Sequence, residues 1–150
     1  MAPARIVDGE DAGSIRLLIA DDHALVRSGL RSMLQREPGI EIVGEARKGR
    51  EAVELCRSLR PDLVLMDVRM PEMDGLEATR AIKRELPELG VLMVTMHENR
   101  DYMLEATKAG ASGYVLKDAS REELISAVRR AVADENPNFR FTRPGYEVSG

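Results

Sequence analysis

Five residues of this chain carry the chemistry that stands out: Asp21 and Asp22, then Asp67, Thr95 and Lys117. Each lies at the end of a short apolar run. Leu17-Leu18-Ile19-Ala20 leads into Asp21-Asp22, Leu63-Val64-Leu65-Met66 into Asp67, Val91-Leu92-Met93-Val94 into Thr95, and residues 113–116 into Lys117. One strand running into a polar loop is ordinary. Four doing so with acids, a hydroxyl and an amine suggest convergence. Three neighbouring carboxylates repel one another and invite a cation. Oxygen-only ligation favours a hard divalent ion, and Mg²⁺ commonly takes one or two carboxylates and keeps several waters. That ion, the Lys117 ammonium and the Thr95 hydroxyl would together receive a phosphoryl group. Asp67 would then be the nucleophile that forms an aspartyl phosphate.

The elements that must position these residues follow from the pattern between them. Apolar runs of about four residues read as strands buried on both faces, which implies a parallel sheet. Ile15-Arg16-Leu17-Leu18-Ile19-Ala20 is the first, residues 40–44 a short second, and residues 63–66, 91–94 and 113–116 the others. Helical patterns fill residues 24–36, 48–59, 75–85, 99–109 and 120–133. The first shows an apolar face of Leu25, Val26, Leu30, Met33 and Leu34, and Pro38-Gly39 stops it. Ser120-Arg121-Glu122-Glu123 has the pattern of a capping box opening the last helix. Strict β-α alternation predicts an α/β domain of three layers, a parallel sheet wrapped on both faces. The carboxyl ends of its strands then lie along one edge, where such sheets bind ligands.

Composition narrows the function. A chain of 150 residues with 43% hydrophobic and 32% charged residues reads as one ordinary globular domain. A net charge of −4 and only 3% aromatics argue against a nucleic-acid surface or a base-stacking platform. The one cysteine, Cys56, sits in a helical pattern and is expected to be buried, so no internal disulfide forms and a reducing compartment fits. No apolar run approaches the roughly 18–20 residues that span a bilayer. The amino terminus shows no signal-peptide pattern. The expectation is a soluble cytoplasmic protein without membrane contact.

With these motifs placed, the chain resembles the receiver domain of two-component response regulators, of the NarL/FixJ (LuxR-type) family. The pieces that carry the resemblance are Leu18-Ile19-Ala20-Asp21-Asp22-His23, Met66-Asp67-Val68-Arg69-Met70-Pro71 through Asp74-Gly75, Thr95-Met96-His97, and residues 110–118. It spans about residues 15–133. It implies a flavodoxin-like (βα)5 fold with strand order 2-1-3-4-5. It also implies that Asp67 accepts a phosphoryl group from a sensor histidine kinase. Asp22, Asp67 and the backbone carbonyl of Arg69 would ligate Mg²⁺, Asp21 acting partly through water. Lys117 would pair with the phosphoryl oxygens, Thr95 would move to bond them, and Tyr114 would rotate inward behind Thr95 as the switch. Arg69 and His97 would tune the dephosphorylation rate. Many receivers have proline after the lysine, joined by a cis bond. Here Asp118 follows, and a non-proline cis peptide costs about 2.5–4 kcal/mol.

Competing readings bear on several residues. His23, beside the acidic pair, is expected to be a surface helix start and not a metal ligand. The methionines read as core or loop filling. A Mg²⁺-dependent phosphohydrolase using an aspartyl phosphate is the alternative function, but haloacid-dehalogenase-like enzymes keep a general-acid aspartate two residues after the nucleophile, where this chain has Arg69. The domain organisation expected is a loose leader at 1–14, the receiver at 15–133, and a linker or tail at 134–150. A carboxy-terminal helix-turn-helix output domain that binds DNA would lie outside this chain. Phosphorylation would drive homodimerisation through the face of the fourth helix, fifth strand and last helix.

Overall fold

A computed structural model describes residues 14–96 and 98–135. The expectations for residues 1–13, for His97 and for 136–150 lie outside the described residues. The elements run β1 (Ile15–Ala20), α1 (Ala24–Leu34), β2 (Ile40–Ala46), α2 (Gly49–Leu59), β3 (Leu63–Asp67), α3 (Gly75–Glu85), β4 (Gly90–Thr95), α4 (Arg100–Ala109), β5 (Gly113–Leu116) and α5 (Arg121–Glu135). Every strand pairing is parallel, and the sheet order is β2-β1-β3-β4-β5. This is the doubly wound, flavodoxin-like arrangement.

Period-two alternation of the central strands divides the core into two layers. Ile15, Leu17, Ile19, Leu63, Leu65, Leu92 and Val94 face α1 and α5, meeting Leu30, Leu34, Leu124, Val128 and Val132. Leu18, Ala20, Val64, Met66, Val91 and Met93 face α2, α3 and α4, meeting Ala52, Val53, Cys56, Ala78, Ile82 and Ala106. Every residue of β3 is buried, Asp67 included. Apolar burial at about 25 cal/mol per Å² makes a slip of β3 by one residue costly, since each side chain would change face. That fixes where Asp67 emerges. No helix among the described residues is long and apolar enough to cross a membrane.

Local signals work largely as the sequence suggests. Glu123 N–H donates to Ser120 Oγ at 3.1 Å and Ser120 N–H to Glu123 Oε1 at 2.8 Å, completing the capping box. Gly110 ends α4 in the left-handed region at φ 105°. Three expectations need correction. Leu25 is 85% exposed, because it lies one residue off the stripe of Val26, Leu30, Met33 and Leu34 that meets the sheet. β2 runs beyond Gly44 to Ala46, whose carbonyl accepts the Asp21 N–H at 3.0 Å. The last helix does not stop at residue 133 but includes Asp134 and Glu135. Glu135 is held there by Lys83 Nζ at 3.3 Å and Ser112 Oγ at 3.0 Å, so polar character did not signal a linker.

A buried charge cluster ties the turn after α1 to α5. Glu37, 4% exposed, accepts from Arg129 Nη2 at 2.7 Å and Arg121 Nη2 at 3.0 Å. Arg129, 2% exposed, also donates to the Pro38 carbonyl at 3.2 Å. Removing one member of such a cluster leaves a poorly compensated charge inside the protein, whereas removing both removes the problem. Arg129→Met is expected to lower stability by about 3 kcal/mol, and the Glu37→Leu/Arg129→Met double variant to recover most of that loss. Urea unfolding midpoints test this; a double variant less stable than the single one contradicts it.

Candidate phosphoryl-acceptor site

The carboxyl edge of the sheet is assembled from the backbone outward. Asp67 is the last residue of β3, in register with Val94, and Thr95 is in register with Leu116. The Lys117 N–H donates to the Thr95 carbonyl at 2.7 Å, which joins the ends of β4 and β5. At the other side, Asp21 Oδ1 accepts the His23 N–H at 2.8 Å, and Arg27 Nη1 donates to the Asp21 carbonyl at 2.7 Å. The acidic pair is therefore fixed at the entry to α1.

The loop after Asp67 doubles back sharply. Val68 carbonyl accepts the Gly75 N–H at 2.9 Å, closing the loop at the start of α3. A Cβ on Gly75 would collide with the Asp67 carbonyl, so only glycine admits this approach. Gly49, at the start of α2, likewise leaves room for the Met73 carbonyl. Asp74 then caps α3: its Oδ1 accepts the Glu77 N–H at 2.9 Å, while Glu77 Oε1 accepts the Asp74 N–H at 3.1 Å. This second capping box is a D-x-x-E pattern that the sequence displays at residues 74–77.

Lys117 Nζ lies 3.0 Å from Asp67 Oδ1 and 3.1 Å from Asp21 Oδ2. Burial pushes the Asp67 carboxyl above its usual range, with the bond from Lys117 opposing and the charge of Asp21 adding to the shift. For Lys117, burial works against the ammonium, but the ion pairs with Asp67 and Asp21 outweigh it and hold its pKa above the usual value. Burial thus disfavours both charged forms, and the close ion pairs oppose it, prevailing at Lys117 but not at Asp67.

Ligand atoms from Asp21, Asp22, His23 and Asp67 all lie within 4.8 Å of one another. Asp22 Oδ1 is buried and accepts no hydrogen bond, with the His23 Nδ1 at 3.1 Å. The carboxylate oxygens suit a hard divalent cation, which would relieve their repulsion. The His23 Nδ1 lies beside these oxygens, and its side chain is 67% exposed.

The remaining predicted residues surround this centre at different depths. Thr95 and Arg69 line a cavity of about 280 Å³ together with Val68, Met96, Asn99 and Tyr102. Tyr114 points outward, 37% exposed, and its O–H donates to Glu98 Oε2 at 3.4 Å. No cis peptide bond occurs among the described residues. Tyr102 was not singled out from sequence. Its signal was available, since it sits in the first turn of the helix that follows Thr95, on the edge where the other groups gather.

Comparison with known proteins agrees with this geometry. Residues 17–129 match the family described as response regulator receiver domain. Over 121 residues the chain is 43% identical to the response regulator GacA of Pseudomonas aeruginosa, covering 81% of this chain and 56% of that protein. It is 44% identical over 115 residues to the response regulator UvrY of Escherichia coli, covering 77% of this chain and 53% of that one. It thus spans about half the length of the curated relatives it matches. A LuxR-family two-component response regulator from Aurantimonas sp. superposes with a TM-score of 0.78 at 39% identity, covering 81% of this chain and 87% of that one. The signal receiver domain of NarL from Mycobacterium tuberculosis gives 0.75 at 36%, covering 79% and 96%. Sheet order, the acids and lysine at its carboxyl edge, and a family match across nearly all the described fold agree: this chain belongs to the response regulator receiver domains, with relatives of the NarL/FixJ type.

Proposed function

We propose that this chain is a phosphorylation-dependent switch in which Asp67 accepts a phosphoryl group from a sensor histidine kinase. The observation that carries the reading is the Lys117 ammonium held between Asp67 and Asp21, at 3.0 and 3.1 Å, on a buried strand end. An Asp67 carboxylate oxygen attacks phosphorus of a phosphohistidine. The O–P bond forms as the P–N bond breaks, and the imidazole leaves with its electron pair and takes a proton. Lys117 is already placed to meet the charge on the transferring oxygens, and Thr95 offers a hydroxyl donor from the adjoining strand. Asp21, Asp22, Asp67 and the Arg69 carbonyl would hold Mg²⁺, which when bound neutralises charge on the donor and on the acids.

Storage and readout follow from the same residues. Arg69 stands where a phosphohydrolase would keep a general acid, which favours a stored acyl phosphate over turnover of external substrates. Arg69 and His97 would tune its lifetime. Thr95 moving toward the phosphoryl group would open space that Tyr114 leaves its Glu98 contact to fill, and the surface of α4, β5 and α5 would change with it. That change would control homodimerisation and a DNA-binding output domain outside this chain, regulating transcription from the cytoplasm.

Incubation with Mg²⁺ and acetyl phosphate is expected to add one phosphoryl group by intact mass. The adduct should be absent in Asp67→Asn and released by hydroxylamine. No adduct with any donor, or steady hydrolysis of a simple phosphate ester, contradicts the reading. A second expectation concerns pH. The folded Asp67 pKa is raised, so its contribution to stability is present below the unfolded value and is lost as pH rises through the folded value. Without divalent cation, Asp67→Asn should match the parent near pH 3.5 and melt a few degrees higher at pH 7; equal melting temperatures at both pH values contradict it.

A further inference from the structure

Tyr102 connects the two loops that flank Asp67. Its backbone N–H donates to the Asn99 side chain at 3.0 Å in the helix cap, which fixes where the side chain starts. From there the phenol reaches back to the loop after β3, and its O–H donates to the Val68 carbonyl in a long contact of 3.4 Å. That carbonyl also accepts the Gly75 N–H at 2.9 Å. The carbonyl one residue after Asp67 is thus bonded by both Gly75 and Tyr102. The phenol stays a donor across the physiological range, because burial and then the charges of Asp74 and Asp67 push its pKa up to about 12. Tyr102 also lines the cavity of about 280 Å³ that Val68, Arg69 and Thr95 line, next in the chain to the acceptor.

We propose that Tyr102 is a positioning residue for phosphoryl transfer at Asp67, its hydroxyl orienting the Val68–Arg69 peptide and its ring screening the acyl phosphate from water. The proposal rests on the reading of Asp67 as phosphoacceptor. The two roles belong to different parts of one side chain, so they separate by substitution. Removing the hydroxyl affects how the acceptor is presented. Removing the ring opens the cavity from which water approaches.

The test uses the full chain with Mg²⁺ and acetyl phosphate, following phosphorylation by intact mass and decay after donor removal. Tyr102→Phe should slow the maximal phosphorylation rate about two- to fourfold, as suits the loss of one long hydrogen bond, with KM for acetyl phosphate unchanged. Its phosphorylated lifetime should stay within twofold of the parent. Tyr102→Ala should shorten that lifetime about fivefold or more, and the ring of the phenylalanine variant is what restores it. Melting temperatures are recorded for all three proteins. Parent rates in both variants overturn the proposal, as does a change in both rates that simply follows lost thermal stability. Tyr102→Phe is nearly isosteric and keeps the hydroxyl role testable even where the alanine variant unfolds. A parent protein that takes no phosphoryl group overturns the underlying reading instead.

Discussion

The constraint on which the rest of this structure depends is electrostatic. Asp21 and Asp67, 1% and 3% exposed, sit at the end of a buried parallel sheet with one ammonium, Lys117, between them. Charges withdrawn from water in this way destabilise the fold unless held in tight geometry, and much of the local architecture supplies it. The Lys117 N–H bonds the Thr95 carbonyl, the Asp21 N–H bonds Ala46, and Gly75 lets the chain close over Asp67. Stability is given up at this edge and restored in two apolar layers on either side of the sheet. The crowding of carboxylates at this edge is what a hard divalent cation would relieve.

The path from that edge to the surface is short. Thr95 ends β4, and Tyr114 on the neighbouring β5 stands outward against Glu98. The loop between α4 and β5 is in turn tied to the end of α5, where Ser112 Oγ donates to Glu135 and Lys83 joins the same carboxylate. α5 is also anchored at its middle, through Arg129 and Glu37. α5 is therefore held at two points, so that a rearrangement of α4 and β5 would favour discrete arrangements over gradual deformation.

Much of this was legible in the sequence because the signals are strong and local. Unbroken apolar runs mark β1, β3 and β4, which are buried on both faces, and each run ends at the residue that matters chemically. What was not legible depends on contacts between distant segments. Leu25 reads as part of an apolar stripe, but the position of α1 on the sheet leaves it in solvent. Asp134 and Glu135 read as the start of a polar linker, because nothing in the sequence pairs Glu135 with Lys83 and Ser112. Glu37 looks like a solvated acid until Arg129, far along the chain, is found beside it in the interior. Tyr102 is a tyrosine in a helix until its hydroxyl is seen to reach Val68.

In the proposed switch, occupancy at Asp67 would be sensed through Lys117 and Thr95 and read out at Tyr114. Amide NMR of the chain with Mg²⁺, before and after addition of beryllofluoride, tests it most directly. Shift changes are expected at Asp67, Thr95 and Lys117 that extend to Tyr114 and α4, and none of these in Asp67→Asn. Changes confined to the acidic residues, with Thr95 and Tyr114 unmoved, would contradict it.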